Sequence, residues 1–311
     1  MIDFRYHLVS IIAIFLALAV GIVVGTTALN GLVLDGLKAS VSALTGDKRA
    51  LEGDVTELRQ GRAKADEFTQ LTAPVLLRGA LSGQRVLLLS TPDAPSAVRD
   101  DLTRALGTAG ASLAGDVRLR PDLVDPAQTA KVASVVTATA PAELALPAGS
   151  PAQRAAAELT AALVKAPGGL PAAGAQKVLA GFAKADLLDI ASPAVESTAT
   201  LVLLVSGPAP GKADEATGPR TAAGLALVKA FAARAGVVVA GPATSADDGA
   251  LVAALRGGSL DLSVSSIDDA DSPQGLVASV LALVEQVDGS SGSYGTGRGA
   301  TATAPTPRPP R

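Results

Sequence analysis

The sequence predicts a mixed α/β protein: an N-terminal transmembrane helix, a coiled coil, and a doubly wound, Rossmann-like parallel sheet domain that ends in a disordered C-terminal tail. Three observations carry this expectation. They are an uncharged apolar stretch near the N-terminus, a Leu row at heptad spacing after it, and short continuous apolar runs that alternate with helical patterns. With 311 residues and 48% hydrophobic content, the chain can bury a sizeable core. That core must be built from Ala, Val and Leu, because aromatics are 2% of the chain and Trp is absent.

The anchor comes first. No charged residue lies between His7 and Asp35, and Ile11 to Val24 contains only Ile, Ala, Phe, Leu, Val and Gly. Leu8 to Leu29 is about 22 residues, which at about 1.5 Å per residue reaches about 33 Å, enough for the hydrocarbon core of a bilayer. Leu8, Ile11, Ile14, Leu18, Ile22 and Leu29 are its expected lipid-facing residues. Phe4 and Tyr6 stand where interfacial aromatics belong, and Arg5 with the α-amine places positive charge on the short side. The expected topology is a cytoplasmic N-terminus over 1–7, a single pass over 8–30 and the body outside the cell membrane. A cleaved signal, with Thr26-Thr27-Ala28 as a poor cleavage site, is the competing reading and also delivers the body outside.

A heptad seam follows over 31–78. Leu37, Leu44, Leu51 and Leu58 fall at successive d positions, and Val41, Lys48, Val55 and Arg62 fall at a. β-Branched a residues with Leu at d favour a two-stranded parallel coil, and a charged a residue fixes register at a cost in stability. The expected partner is a second copy in parallel, or a helix from a different protein. A single amphipathic helix packed on the downstream domain has the same spacing. Pro74 is expected to end the helix.

The body over 82–287 shows apolar runs at Arg85–Ser90, Leu113–Leu119, Leu201–Ser206, Val237–Ala240 and Leu260–Ile267. Helical patterns occupy 96–106, 127–137, 151–165, 174–188, 221–235, 247–255 and 272–286. Continuous rather than alternating apolar strands imply a parallel sheet covered on both faces. Residues 138–172, rich in Ala, Pro and Gly, read as a helical insertion or a loop and leave the strand order open. Few, short, continuous strands do not supply the alternating segments of about ten residues that a transmembrane barrel needs. The tail over 288–311 is Ser, Gly, Thr, Pro and Arg, so it is expected to be disordered, with Gly295, Gly297 and Gly299 as linker glycines.

Reactive side chains are scarce: no Cys, one His and one Met. A Ser-His-Asp triad, a Cys-His pair, a Cys/His zinc site and a disulfide framework all lack their residues. A net charge of −3 and few aromatics provide neither a phosphate-neutralising field nor a stacking platform for nucleic acid. The chain therefore reads as no enzyme, with no catalytic, cofactor-binding or metal-ligating residue assigned and no nucleic-acid partner. Gly207-Pro208-Ala209-Pro210-Gly211-Lys212-Ala213 follows a strand but misses the phosphate-loop spacing, and two Pro remove amide donors. The strand-end loops Thr91-Pro92-Asp93 and Ile267-Asp268-Asp269-Ala270-Asp271 stand where a doubly wound sheet holds ligands. The second reads more simply as a turn with Ser272 as N-cap and Pro273 at the first position of the last helix, its acids favouring the positive helix end. Asp247 and Asp248 read the same way at the start of their helix.

The opening run MIDFRYHLVSIIAIFLALAVGIVVGT, followed at once by a short heptad helix, resembles the signature of the actinobacterial MctB family of copper transporters. The likeness is specific over roughly the first 30 residues and one of layout beyond them. It implies an envelope protein associated with copper export or copper homeostasis, sometimes described as pore-forming. Related SteB-like proteins imply instead a septal scaffold that partners a division protein and helps control a peptidoglycan hydrolase. Cu(I) selects thiolate and thioether, and Cu(II) prefers imidazole with other N and O donors. The only such side chains, Met1 and His7, precede the anchor, so copper association, implied by the family alone, is expected without a dedicated site in the folded domain.

Overall fold

The computed structural model describes residues 4–165, 169–191, 199–212, 214–258 and 262–306, apart from the side chains of 27–35. The chain divides into two compact units, Met1–Ala65 and Asp66–Arg311.

Helix α1 (Phe4–Leu77) contains the apolar stretch and the heptads in one element. Pro74 does not end it. The helix continues for three residues past that position: the proline removes a single backbone hydrogen bond, and burial of Leu77 in the domain that follows holds the last turn. Gly79, at φ +75°, turns the chain, and Leu77 and Leu81 are buried in the domain that follows.

The second unit is an open, mostly parallel sheet. Its described strands are β1 (Arg85–Ser90), β2 (Ser112–Leu119), β3 (Leu188–Ala191), β4 (Leu201–Val205), β5 (Gly236–Ala240), β6 (Val264–Ile267) and β7 (Ser293–Tyr294). Their order is β3-β2-β1-β4-β5-β6-β7, and only β3 runs antiparallel to its neighbour, with Leu119 opposite Leu188. From β1 the chain winds outward through β2, then restarts beside β1 at β4 and winds the other way. This is the doubly wound order with its switch point between β1 and β4. Among the described strands the sheet is open, with β3 and β7 at its two edges.

Side chains of the central strands alternate between two cores. Leu87, Leu89, Val202, Leu204, Val237 and Val239 face one core, which is closed by α3 (Pro121–Val124), α4 (Thr129–Thr139), α5 (Pro151–Leu163), α6 (Ala172–Lys184), α7 (Thr217–Ala232) and α8 (Leu251–Gly257). Val86, Leu88, Leu201, Leu203, Val205 and Val238 face the other, closed by the end of α1, α2 (Ser96–Thr108) and α9 (Pro273–Val287). Burial on both faces explains why these strands read as continuous rather than alternating apolar runs. The Ala- and Pro-rich segment before α5 leads into a capping box, in which Ser150 and Gln153 satisfy each other's backbone amides.

Two expectations are corrected here. The helical pattern over 174–188 ends at Lys184, and Asp186, at φ 54°, turns the chain into β3, which pairs with β2. Helical spacing alone cannot register an edge strand only four residues long. The expected disorder of 288–311 does not extend to 288–306, and 307–311 lie outside the described residues. β7 adds to the sheet edge beside β6, and its Tyr294 is buried, donating its hydroxyl to Glu285 at 2.6 Å.

A buried ion pair fastens this segment. Asp268, at the end of β6, pairs with Arg256 of α8, with 0% and 4% side-chain exposure. Asp268 also accepts the amides of Thr296 at 2.8 Å and Gly297 at 3.0 Å, while Arg256 donates to the carbonyls of Tyr294 at 2.7 Å and Arg298 at 3.0 Å. A Cβ at Gly295 or Gly297 would strike the Asp268 carboxylate, and Gly295 stands at φ +124°. These glycines thus allow the close approach of backbone to acid rather than serving as linkers.

Glu158 of α5 is fully buried against Thr139 of α4, and neither carboxylate oxygen has a hydrogen-bond partner, since the Thr139 hydroxyl donates to the Val135 carbonyl. Burial raises its pKa to about 7, opposed in part by the charges of Arg154 and Lys177.

Asp268→Ala leaves the buried Arg256 guanidinium without its counter-charge and the amides of Thr296 and Gly297 without their acceptor. It is expected to cost about 3–5 kcal/mol in denaturant unfolding and to raise hydrogen exchange in 289–306 selectively; unchanged exchange there contradicts the role given to the pair. The raised Glu158 pKa makes the folded state bind a proton that the unfolded state releases between about pH 4.5 and about pH 7. Stability should therefore fall as pH rises through that window, by roughly 3 kcal/mol in total. Glu158→Gln should flatten the slope and stabilise the protein at pH 8, as read from melts across pH.

Candidate functional site

Helix α1 presents two exposed apolar surfaces. Phe4–Thr26, with a mean hydropathy of 2.9, is long and apolar enough to cross a membrane, and none of it is buried in the structure. Leu8, Ile11, Ile14, Leu18 and Ile22 are each more than half exposed; Leu29 lies outside the residues whose side chains are described. His7 is exposed on the same helix, whereas Met1 lies outside the described residues. A bare apolar helix of this length needs lipid around it, and the chain is membrane-associated through it.

Farther along α1, Leu37, Leu44, Leu51 and Leu58 are 59–73% exposed, with Val41 and Val55 between them. Lys48 stands on the same row and reaches Glu52 at 3.6 Å, an exposed i,i+4 pair that contributes little to stability. Arg62 completes the row. These are the expected a and d positions, and none of the Leu or Val side chains is covered.

The sheet domain adds a cleft at the switch point. A cavity of about 330 Å³ opens beyond the ends of β1 and β4, walled by Leu119, Leu204, Leu227 and Leu251 and edged by Thr91, Asp93, Ser206 and Arg220. The Gly207 amide donates to the Thr91 hydroxyl at 3.1 Å, and that hydroxyl donates to the Asp93 carboxylate at 2.6 Å. Gly207 has no side chain because the Asp93 carboxylate lies against its Cα, where a Cβ would stand 2.2 Å from Cγ. Gly207, Pro208 and Pro210, the start of the rejected phosphate-loop look-alike, line this cleft; Ala213 lies outside the described residues.

The acidic run 268–271 is used by the chain itself. Asp268 holds the C-terminal segment, and Asp271 accepts the Ala243 amide at 3.1 Å. Asp269 is buried, its pKa raised to about 6 by burial and then by the charges of Asp268 and Asp271. Its carbonyl lies so close to Gly275 in the first turn of α9 that no Cβ fits there. Ser272 caps α9 by accepting the Gly275 amide at 3.0 Å, with Pro273 in the first turn, as the sequence suggests. Asp247 and Asp248 do not start a helix. α8 begins at Leu251, Asp247 closes a short 3₁₀ turn, and Asp248 pairs with Arg298 at 3.1 Å. Among the described residues no group of three His, Cys, Asp or Glu is arranged to hold a metal ion.

The sequence pointed to Thr91-Pro92-Asp93 as one side of the cleft but not to Ser206, Arg220 or the wall of α7. Their convergence depends on strand order, which local spacing does not encode.

Comparison with known proteins bears on the whole chain. It is 29% identical over 329 residues to proteins named copper transporter MctB in Mycobacterium bovis and Mycobacterium tuberculosis, an alignment covering 96% of this chain and 98% of theirs. The protein of that name in Mycobacterium leprae is 28% identical over 97% of this chain and 98% of its own length. These names concern copper and lend no support to a septal-scaffold reading. The family described as "Copper transport outer membrane protein, MctB" matches residues 1–305, so the likeness noted at the N-terminus extends through the sheet domain, and the chain belongs to the MctB family.

Proposed function

We propose that this chain is a membrane-anchored envelope component of copper export and copper homeostasis. The observation that carries this reading is the match of nearly the whole chain to a copper transport family and to relatives named copper transporters. The apolar start of α1 holds the protein in the cell membrane as a single pass, with residues 1–7 cytoplasmic and the sheet domain outside. Arg5, just before the apolar span, supports that orientation. Copper is the cargo of the pathway rather than a resident of the fold. The absence of Cys, and a single His and Met both within the first seven residues, leave the sheet domain without the soft or imidazole donors that copper selects. The protein acts without catalysis of its own, by assembly. Two copies pair in parallel through Leu37, Val41, Leu44, Leu51, Val55 and Leu58, since exposed Leu at successive d positions gains about 1.5–3 kcal/mol per side chain fully buried.

Deletion of the gene is expected to raise cellular copper and copper sensitivity. The full chain should restore both, and a chain lacking 4–26 should not; equilibrium dialysis of the purified full chain should find no stoichiometric sub-micromolar copper site. Normal cell copper in the deletion strain overturns the copper role, and a tight site overturns the assembly route. Because the chain has no native Cys, Leu44→Cys and Leu58→Cys give clean crosslinking tests in membranes. Each variant should form a disulfide dimer with itself under mild oxidation, while a mixture of the two should form no mixed dimer. Crosslinking only to a different protein replaces the homodimer with a heteromeric coil.

A further inference from the structure

We infer that the switch-point cavity of the sheet domain is a binding site for a small aliphatic amine, received with its ammonium group on Asp93. Three independent features lead to this ligand class. The first is position: the cavity lies outside the carboxyl ends of β1 and β4, where an open α/β sheet reverses its winding and the two departing loops leave a crevice. Its volume of about 330 Å³ suits a small molecule.

The second feature is charge. Asp93 and Asp125 border the cavity, and Arg220, the bordering cation among the described residues, is already paired with Asp214 at 3.2 Å. Two bordering carboxylates, against one guanidinium that is itself paired with a third outside the cavity, favour a cation and disfavour a phosphate or carboxylate ligand. Backbone donors for an anion are also reduced, because Pro92, Pro208 and Pro210 in the bordering loops and Pro121 at the start of α3 have no amide hydrogen. Asp93 is positioned rather than loose: the Gly207 amide fixes the Thr91 hydroxyl, which donates to one carboxylate oxygen.

The third feature is an unmet hydrogen-bonding group. Ser206, on the cavity wall at the end of β4, is 1% exposed, and its hydroxyl has no partner among the described residues. Its place in the strand alternation puts it on the same face as Val202 and Leu204, the face on which the cavity opens. A buried hydroxyl left without a partner costs free energy that a ligand donor recovers. An ammonium group has three donors, so Asp93 and Ser206 can each accept one. The rest of the wall is aliphatic, from Leu119, Leu204, Leu227 and Leu251, and no aromatic residue lines it to stack a flat ring. An aliphatic body therefore fits better than a nucleobase or a sugar face.

The proposal stands on the cavity alone and survives or fails independently of the copper reading. Isothermal titration of the full chain in lipid nanodiscs with isopentylammonium, isopentanol and isovalerate tests it, each probe run in parallel against Asp93→Asn. Partition into lipid is common to both proteins and cancels in the difference. The wild type should bind isopentylammonium at least tenfold more tightly than isovalerate, and Asp93→Asn should remove most of that preference while leaving isopentanol unchanged. Thr91→Val, which deletes the hydroxyl that positions Asp93, should weaken the amine severalfold and serves if the Asn variant does not fold. No saturable amine binding, equal binding of the three probes, or stronger binding of isovalerate overturns the assignment.

Discussion

Strands β1, β4 and β5 hold Val and Leu on both faces with essentially no exposure, so neither face of the central sheet can meet water. Every helix after α1 is therefore committed to covering one face or the other, and the end of α1 closes a gap on the second. With only five Phe, two Tyr and no Trp in the whole chain, each of these layers is packed from branched aliphatics and Ala. Such small side chains bury little area singly, which is why the domain needs two cores and helices on both sides of the sheet. The same two-sided burial sets the winding direction to reverse between β1 and β4, and the reversal opens a crevice that combines an aliphatic wall with a fixed carboxylate.

Helix α1 obeys the opposite rule over most of its length. Its apolar side chains are exposed rather than covered, first as an uninterrupted run and then as a narrow row at heptad spacing. Lipid satisfies the first pattern, and a facing helix is the cover proposed for the second. Polar chemistry in that domain is spent on holding its own chain together. Asp268 and Arg256 fasten the last strand, Ser272 caps α9, and Asp271 accepts a loop amide. In a protein with so few soft donors, these acids are the residues a metal search singles out first, and the fold has engaged Asp268 and Asp271 internally.

The anchor was legible because lipid selects length and lack of charge, both of which are local. The main strands were legible because two-sided burial writes itself as continuous apolar runs. β3 and β7 were not: each is short, each lies at a sheet edge, and each is defined by pairing rather than by its own pattern. The tail shows the difference most sharply. Gly295, Gly297 and Gly299 look like linker residues in a Ser- and Pro-rich segment, yet the first two are required because an acid more than twenty residues earlier approaches their backbone. Composition records the absence of side chains there and cannot record what occupies the space.

The candidate cleft divides in the same way. Its Thr91-Pro92-Asp93 side could be read from a strand end followed by a turn, while Ser206, Arg220 and the α7 wall depend on which strand lies beside β1. Sequence by itself determined the anchor, the heptad row, the α/β alternation, the N-cap of α9 and the scarcity of copper donors, because each follows from local spacing or from composition. Tertiary structure alone decided the strand order, the folded C-terminal segment, the buried and unpaired Glu158 and the meeting of Asp93 with Gly207. Those features arise from contacts between residues far apart in the chain, whose existence depends on the packing of the whole domain.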